Sequence, residues 1–148
     1  MSNNPGFIDV TSANATVMIK APPVIPNWTT LNHFGSASFK ENEITNVETR
    51  KGVDGKMAAG WIPSILAGTV TAEANGDAFH TLRRLCLAQV NVRRPIDVSM
   101  VVVLPANNQR VTYTGGVVKT SRNLPELSKT QGEVSFSFEF DTATSVDD

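Results

Sequence analysis

The stretch "KGVDGKMAAGWIPSILAGTVTAEANGDAFHTLRRLCLAQ" (residues 51–89) changes its hydrophobic period midway, and that change decides the fold. Its first part reads as β structure. Asp54-Gly55 within "GVDG" (52–55) suits a hairpin turn, because this dipeptide tolerates φ > 0. "KMAAGWIPSI" (56–65) returns from that turn. "LAGTVTAEA" (66–74) sets Gly68, Val70 and Ala72 against Thr69, Thr71 and Glu73, the two-residue period of a strand. From Asp77 the apolar residues follow a helical rhythm instead: Phe79, Leu82, Cys86 and Val90, widened by Ala78 and Leu85. One helix is therefore expected over about residues 77–90. Asn75 or Asp77 can cap it by accepting an orphan backbone N–H.

Outward from this stretch the chain is mostly strand. "EVSFSFEFD" (133–141) alternates Val134, Phe136, Phe138 and Phe140 with Glu133, Ser135, Ser137, Glu139 and Asp141. "IDVSMVVVL" (96–104) is apolar on both faces toward its end, as in a strand covered on both sides. "RVTYTGGVVKT" (110–120) returns from the turn "PANNQ" (105–109), and Gly115-Gly116 marks a bulge or tight bend. "ATVMIK" (15–20) is a short strand, and the three prolines of "APPVIPNW" (21–28) make an extended connector. Residues 36–74 read as one long hairpin with a polar tip near Val53. Strands average only about 5–6 residues, so this hairpin overshoots a compact domain and invites pairing with another chain. Residues 1–14 and 142–148 are polar terminal arms. The expected fold is a single domain over 1–148, mostly β: an antiparallel β-sandwich or barrel with a long protruding hairpin and one α-helix.

Composition narrows the function. With 148 residues and 41% hydrophobic content, one sizeable core is feasible. Charged residues make up 18%, below the roughly 25% of ordinary soluble domains, which fits a surface partly covered by other subunits. A net charge of −1 favours neither a nucleic-acid binder nor an acidic tail. The single cysteine, Cys86, excludes an internal disulfide framework. No apolar run is long enough to span a membrane, and "MSNNPGFIDV" does not read as a signal peptide.

Catalytic constellations are not expected. His33 and His80 are the two histidines, and each lacks a sequence-evident acid–base partner. Cys86 falls on the apolar stripe of the helix and reads as a buried, inert thiol. Glu41 and Glu43 share a strand face, yet no further oxygen ligands stand near them, so a solvated face is the simpler reading and no metal or cofactor is expected. The pairs Arg50-Lys51, Arg83-Arg84 and Arg93-Arg94 lack interleaved aromatics and suit subunit contacts. Trp61, in an otherwise polar arm, is what an interface anchor looks like. The residues thus describe a non-enzymatic, assembly-prone β domain.

The order and spacing of these pieces resemble the tail tube proteins of tailed bacteriophages, particularly those of contractile tails, a family related to type VI secretion tube proteins. The resemblance rests on "KGVDGK" (51–56), "PSILAGTVTAEAN" (63–75), "GDAFHTLRRLCLAQ" (76–89), "RPIDVSMVVVL" (94–104), "RVTYTGGVVKT" (110–120) and "EVSFSFEF" (133–140). Asn107-Asn108 stands where the family's turn is of Asp-Gly type, and the late strand lacks the family's Trp. The resemblance implies homo-hexameric rings stacked into a tube, located in the virion tail and assembled in the bacterial host cytoplasm. Implied partners are a tape-measure protein, a sheath, baseplate or terminator proteins, and DNA passing through the lumen without specific binding. No membrane anchor is expected. Arg50, Lys51, Val53, Asp54, Lys56 and Trp61 are then the expected ring–ring contacts. Sliding DNA favours a lumen that does not grip phosphate, and Glu41, Glu43 and Glu48 are its candidate lining. Glu43 and Glu48 lie on opposite strand parities, so both can face the lumen only across a bulge. Related readings are a tube initiator or terminator, or a type VI secretion tube. A non-tubular virion decoration or binding module is the reading from another class.

Overall fold

Val134, Phe136, Phe138 and Phe140 are buried while Ser135 and the rest of the alternating set turn outward, and this alternation builds the core. The computed structural model describes residues 15–31, 34–121, 124–125 and 127–147. The expected arm at 1–14 and His33 lie outside them. The elements are β1 (Thr16–Ala21), β2 (Ile25–Thr30), β3 (Phe34–Glu41), β4 (Val47–Lys51), β5 (Met57–Trp61), β6 (Leu66–Ala72), α1 (Asp77–Val92), β7 (Val98–Leu104), β8 (Gln109–Thr120), β9 (Val134–Phe140) and β10 (Thr142–Asp147). A single 3₁₀ turn, Pro105–Asn107, joins β7 to β8.

All the strand pairings are antiparallel, as expected. The main sheet runs β2-β1-β7-β8-β9-β6-β3, with β10 also beside β8. The pivot is β8. One edge pairs with β7; along the other, β10 pairs with its first half and β9 with its last residues. The bend falls at Gly115, whose φ of +67° is a left-handed value that glycine adopts without steric cost. Opposite it, the Asp141 N–H reaches the carbonyls of Thr114 at 3.2 Å and Gly115 at 3.3 Å. The doublet therefore is the bulge the sequence suggests. It carries β8 from one half-sheet to the other, and the apolar faces of both halves join α1 in one buried cluster.

Several expectations change. Residues 142–148 were expected as a polar tail, yet 142–147 form β10 and continue the register that β9 begins on β8. Its threonines suit a pleated strand, but without an apolar face it carries no period to read. Val101 and Val103, expected under cover, turn outward and are only half-buried, beside Met18 and Thr16 of β1. Val90, expected on the buried helical stripe, is 69% exposed. The stripe is Ala78, Phe79, Leu82, Leu85 and Cys86. At about 100° per residue, Gln89 takes the inward place. It donates from Nε2 to the Val118 carbonyl at 3.1 Å and accepts the Ile96 N–H at 3.4 Å. The helix cap also differs: Gly76 occupies the position without a side-chain bond. Asn75, at φ 61°, instead places its Oδ1 2.8 Å from His80 Nε2.

Candidate assembly interface

The long hairpin divides in two. Near the body, β3 pairs with β6 as part of the main sheet. Beyond residues 42–46, among the described residues, β4 and β5 pair only with each other. Every residue of this outer ribbon is exposed. Its turn is closed by polar bonds: the Gly52 N–H meets the Lys56 carbonyl at 2.9 Å, and Asp54 Oδ1 accepts the Lys56 N–H at 3.0 Å. Gly55, at φ 80°, supplies the conformation that the Asp-Gly dipeptide promised.

Register sorts the ribbon into two unlike faces. Val47 lies opposite Trp61, Thr49 opposite Ala59, and Lys51 opposite Met57. Glu48 lies opposite Gly60 and Arg50 opposite Ala58. The first face is largely apolar and wholly exposed, with Trp61 at 74% and Met57 at 70%. An isolated two-stranded ribbon is marginal in water, and large exposed aromatic and Met side chains are the composition of interface cores. The residues expected at the ring–ring contact are spread over the turn and both faces of the ribbon. Val53, Asp54 and Lys56 sit at the turn, Arg50 and Lys51 look to opposite faces, and Trp61 stands at the inner end of the ribbon. Sequence reasoning singled out Trp61 but not Val47, Met57 and Ala59, which the register sets on the same exposed face. Their two-residue spacing in "VETRK" and "MAAGW" was the available signal.

The three carboxylates expected in a lumen stand apart. Glu48 is on the mixed face of the ribbon, Glu43 in the connection at 42–46, and Glu41 at the end of β3. Glu41 has a partner in the body: the Tyr113 hydroxyl donates to its Oε2. Tyr113 is only 3% exposed. Burial first, then the hydrogen bond and the charge of Glu41, push its phenol well above the ordinary range. Its ring packs between Phe39, centroids 5.6 Å apart, and Phe140, 4.9 Å apart.

Other chemistry is sparse. Burial raises the Cys86 thiol above its ordinary 9.0, with a side-chain contact to Ser121 acting the other way. Among the described residues, no group of three His, Cys, Asp or Glu side chains is placed to hold a metal ion, and no helix is long and apolar enough to cross a membrane.

Comparison with known proteins bears on this geometry. A family model described as Tail fiber protein gp32 matches residues 8–144. No curated protein matches the sequence. Among solved structures, the chain is similar to the sheath/tube terminator of the PVC extracellular contractile injection system, with 7% identity and a TM-score of 0.55 over 96% of this chain and 99% of that one. It is also similar to a chain of the anti-feeding prophage baseplate, with 13% identity and a TM-score of 0.55 over 99% and 97%. The Hcp1 protein of Salmonella typhimurium matches at 12% identity and a TM-score of 0.40 over 88% and 85%. At such identities the first two likenesses are ones of fold. The fold expected from the sequence resemblance, that of tube-related components of contractile systems, is the fold the chain has.

Proposed function

The chain belongs to the family of Tail fiber protein gp32, and from that premise we propose that it is a structural, non-enzymatic subunit of a contractile-type tail tube. The observation that carries the reading is the outer ribbon β4–β5. It has a fully exposed apolar face and, among the described residues, no second layer of its own. Such a ribbon gains its stability from a neighbouring subunit. A contact between unlike surfaces of identical chains closes into rings or runs on into filaments. Val101 and Val103 add half-buried aliphatic surface on the outer face of the main sheet. The fold shared with a sheath/tube terminator and a baseplate component supports a ring-forming part over a fibre-forming one.

In this reading six copies form a ring and rings stack into a tube in the virion tail, assembled in the host cytoplasm. The lumen holds a tape-measure protein and conducts DNA without specific binding. A sheath and baseplate or terminator proteins surround and bound the tube. Val47, Met57, Ala59 and Trp61 make the apolar contact between subunits. Arg50, Lys51, Val53, Asp54 and Lys56 make the contacts around the tip. Glu41, Glu43 and Glu48, all exposed, are assigned to the channel, and the irregular segment 42–46 interrupts the strand parity between them.

Negative-stain electron microscopy of the concentrated protein at neutral pH tests the proposal. Stacked rings or hollow tubes support it. Single rings alone redirect it to a tube initiator or terminator. A monomer by light scattering at the same concentration overturns it and favours a binding module.

A further inference from the structure

We infer that the Tyr113–Glu41 hydrogen bond is a latch that sets the direction in which the outer ribbon leaves the body, making Tyr113 and Glu41 positioning residues for the arm. The ladder between β3 and β6 reaches its last pair at Glu41 and Gly68. One more bond follows, from the Asn42 N–H to the Ala67 carbonyl at 2.8 Å. The next rung belongs to the ribbon: the Ile62 N–H meets the Asn46 carbonyl at 2.9 Å. Between these rungs the two chain segments carry Ile44 and Ile65 as exposed apolar residues rather than packed ones. The ribbon's angle is therefore decided at Glu41 and Asn42.

At that point a side chain from across the fold takes hold. Along the sheet, β8 is separated from β3 by β9 and β6. The Tyr113–Glu41 contact thus spans the sandwich instead of following a ladder, and it joins residues 72 positions apart. The aromatic surroundings hold the donor. Tyr113 packs between Phe39 and Phe140, and Phe39 itself lies over Gly68. A Cβ on Gly68 would stand 2.6 Å from the Phe39 ring, so glycine is required for β3 to close on β6 here. The Tyr113 ring is buried, so its hydroxyl depends on one acceptor at the rim, and Glu41 provides it from the last residue before the arm departs. A hydrogen bond to a charged acceptor is stronger than a neutral one, which suits a single contact that must resist the leverage of a projecting ribbon.

Hydrogen exchange by mass spectrometry on the dilute, unassembled full chain tests the latch. Tyr113→Phe removes the hydroxyl and leaves the ring stack. It is expected to speed exchange of the amides in 39–46 and 62–68 on the order of tenfold, while β1, β7 and β9 keep their wild-type protection. Glu41→Leu should reproduce this, and Glu41→Gln, which still offers an oxygen acceptor, should restore most of the protection. Unchanged exchange at the root in Tyr113→Phe overturns the latch. So does a rise spread over the whole body, because the hydroxyl then acts on the core alone. The consequence for assembly rests on the proposed function and is read separately by electron microscopy. If root exchange rises but rings form as in the wild type, the positional role is overturned. If the wild type forms no rings, the tube reading fails while the exchange result still decides the latch.

Discussion

Strands β5 and β9 both alternate their side chains, yet β9 buries Val134, Phe136, Phe138 and Phe140 whereas β5 exposes Met57, Ala59 and Trp61. The difference is not in the strands. In β9 both edges are paired, by β6 and β8, and its apolar face meets α1, as the 6.4 Å approach of the Phe79 and Phe136 rings shows. In β5, among the described residues, β4 is the one paired neighbour and nothing covers the face. One alternation is completed inside the chain. The other stays exposed among the described residues.

The largest expected effect of a single change therefore lies in the body. Phe136→Ala should cost about 3–5 kcal/mol, measured by urea denaturation, because the ring is fully buried. Trp61→Ser in the ribbon should change the stability of the unassembled chain by no more than about 0.5 kcal/mol. If both mutations destabilise equally, the contrast between body and ribbon is broken.

Gly116→Ala sharpens the same contrast from the side of overpacking. A Cβ there would meet Phe140 Cδ1 at 2.2 Å and the Val98 carbonyl at 3.0 Å. Neither the core ring nor the β7 backbone can withdraw cheaply, so a loss of about 1–3 kcal/mol is expected. Gly60→Ala, in the ribbon, meets nothing within 4 Å and should be silent by the same assay.

Alkaline pH gives a smaller and graded effect. Tyr113 titrates at a higher pH in the folded chain than its ordinary value of 10.0. Below about pH 10 both folded and unfolded phenols are protonated, and the associated stability is fully present. As pH rises beyond that, the unfolded state releases its proton first and stability falls. Thermal melts between pH 8 and 11 should show this slope in the wild type and a shallower one in Tyr113→Phe. The least effect is kinetic: buried Cys86 should react far more slowly with a thiol reagent in the native chain than in urea, since its thiol is both covered and held protonated.

What the sequence discloses follows range. The β9 alternation, the start of α1 near Asp77, the Gly115-Gly116 bend and the Asp54-Gly55 turn are local patterns, and each is found where it was read. Val90 was misplaced because a helical stripe has soft edges that only its neighbours define. The strand at 142–147 escaped notice because its pairing with β8, not its own composition, makes it a strand. The apolar face of the ribbon is half legible in the sequence. Trp61 announced itself, but Val47 and Met57 join it only once the register of β4 on β5 is known. The Tyr113–Glu41 contact was out of reach altogether, since it depends on how β8 bends across the fold.

Sedimentation velocity on the wild type and on a Met57→Ser, Trp61→Ser double variant, at matched concentration and with melting temperatures taken alongside, puts the central claim to its most direct test. The wild type should sediment as rings or larger stacks. The variant should sediment as a monomer with a melting curve like that of the dilute wild type, because only the uncovered face has changed. A variant that assembles as fully as the wild type would contradict the assignment of the ribbon's apolar face as the joint between subunits.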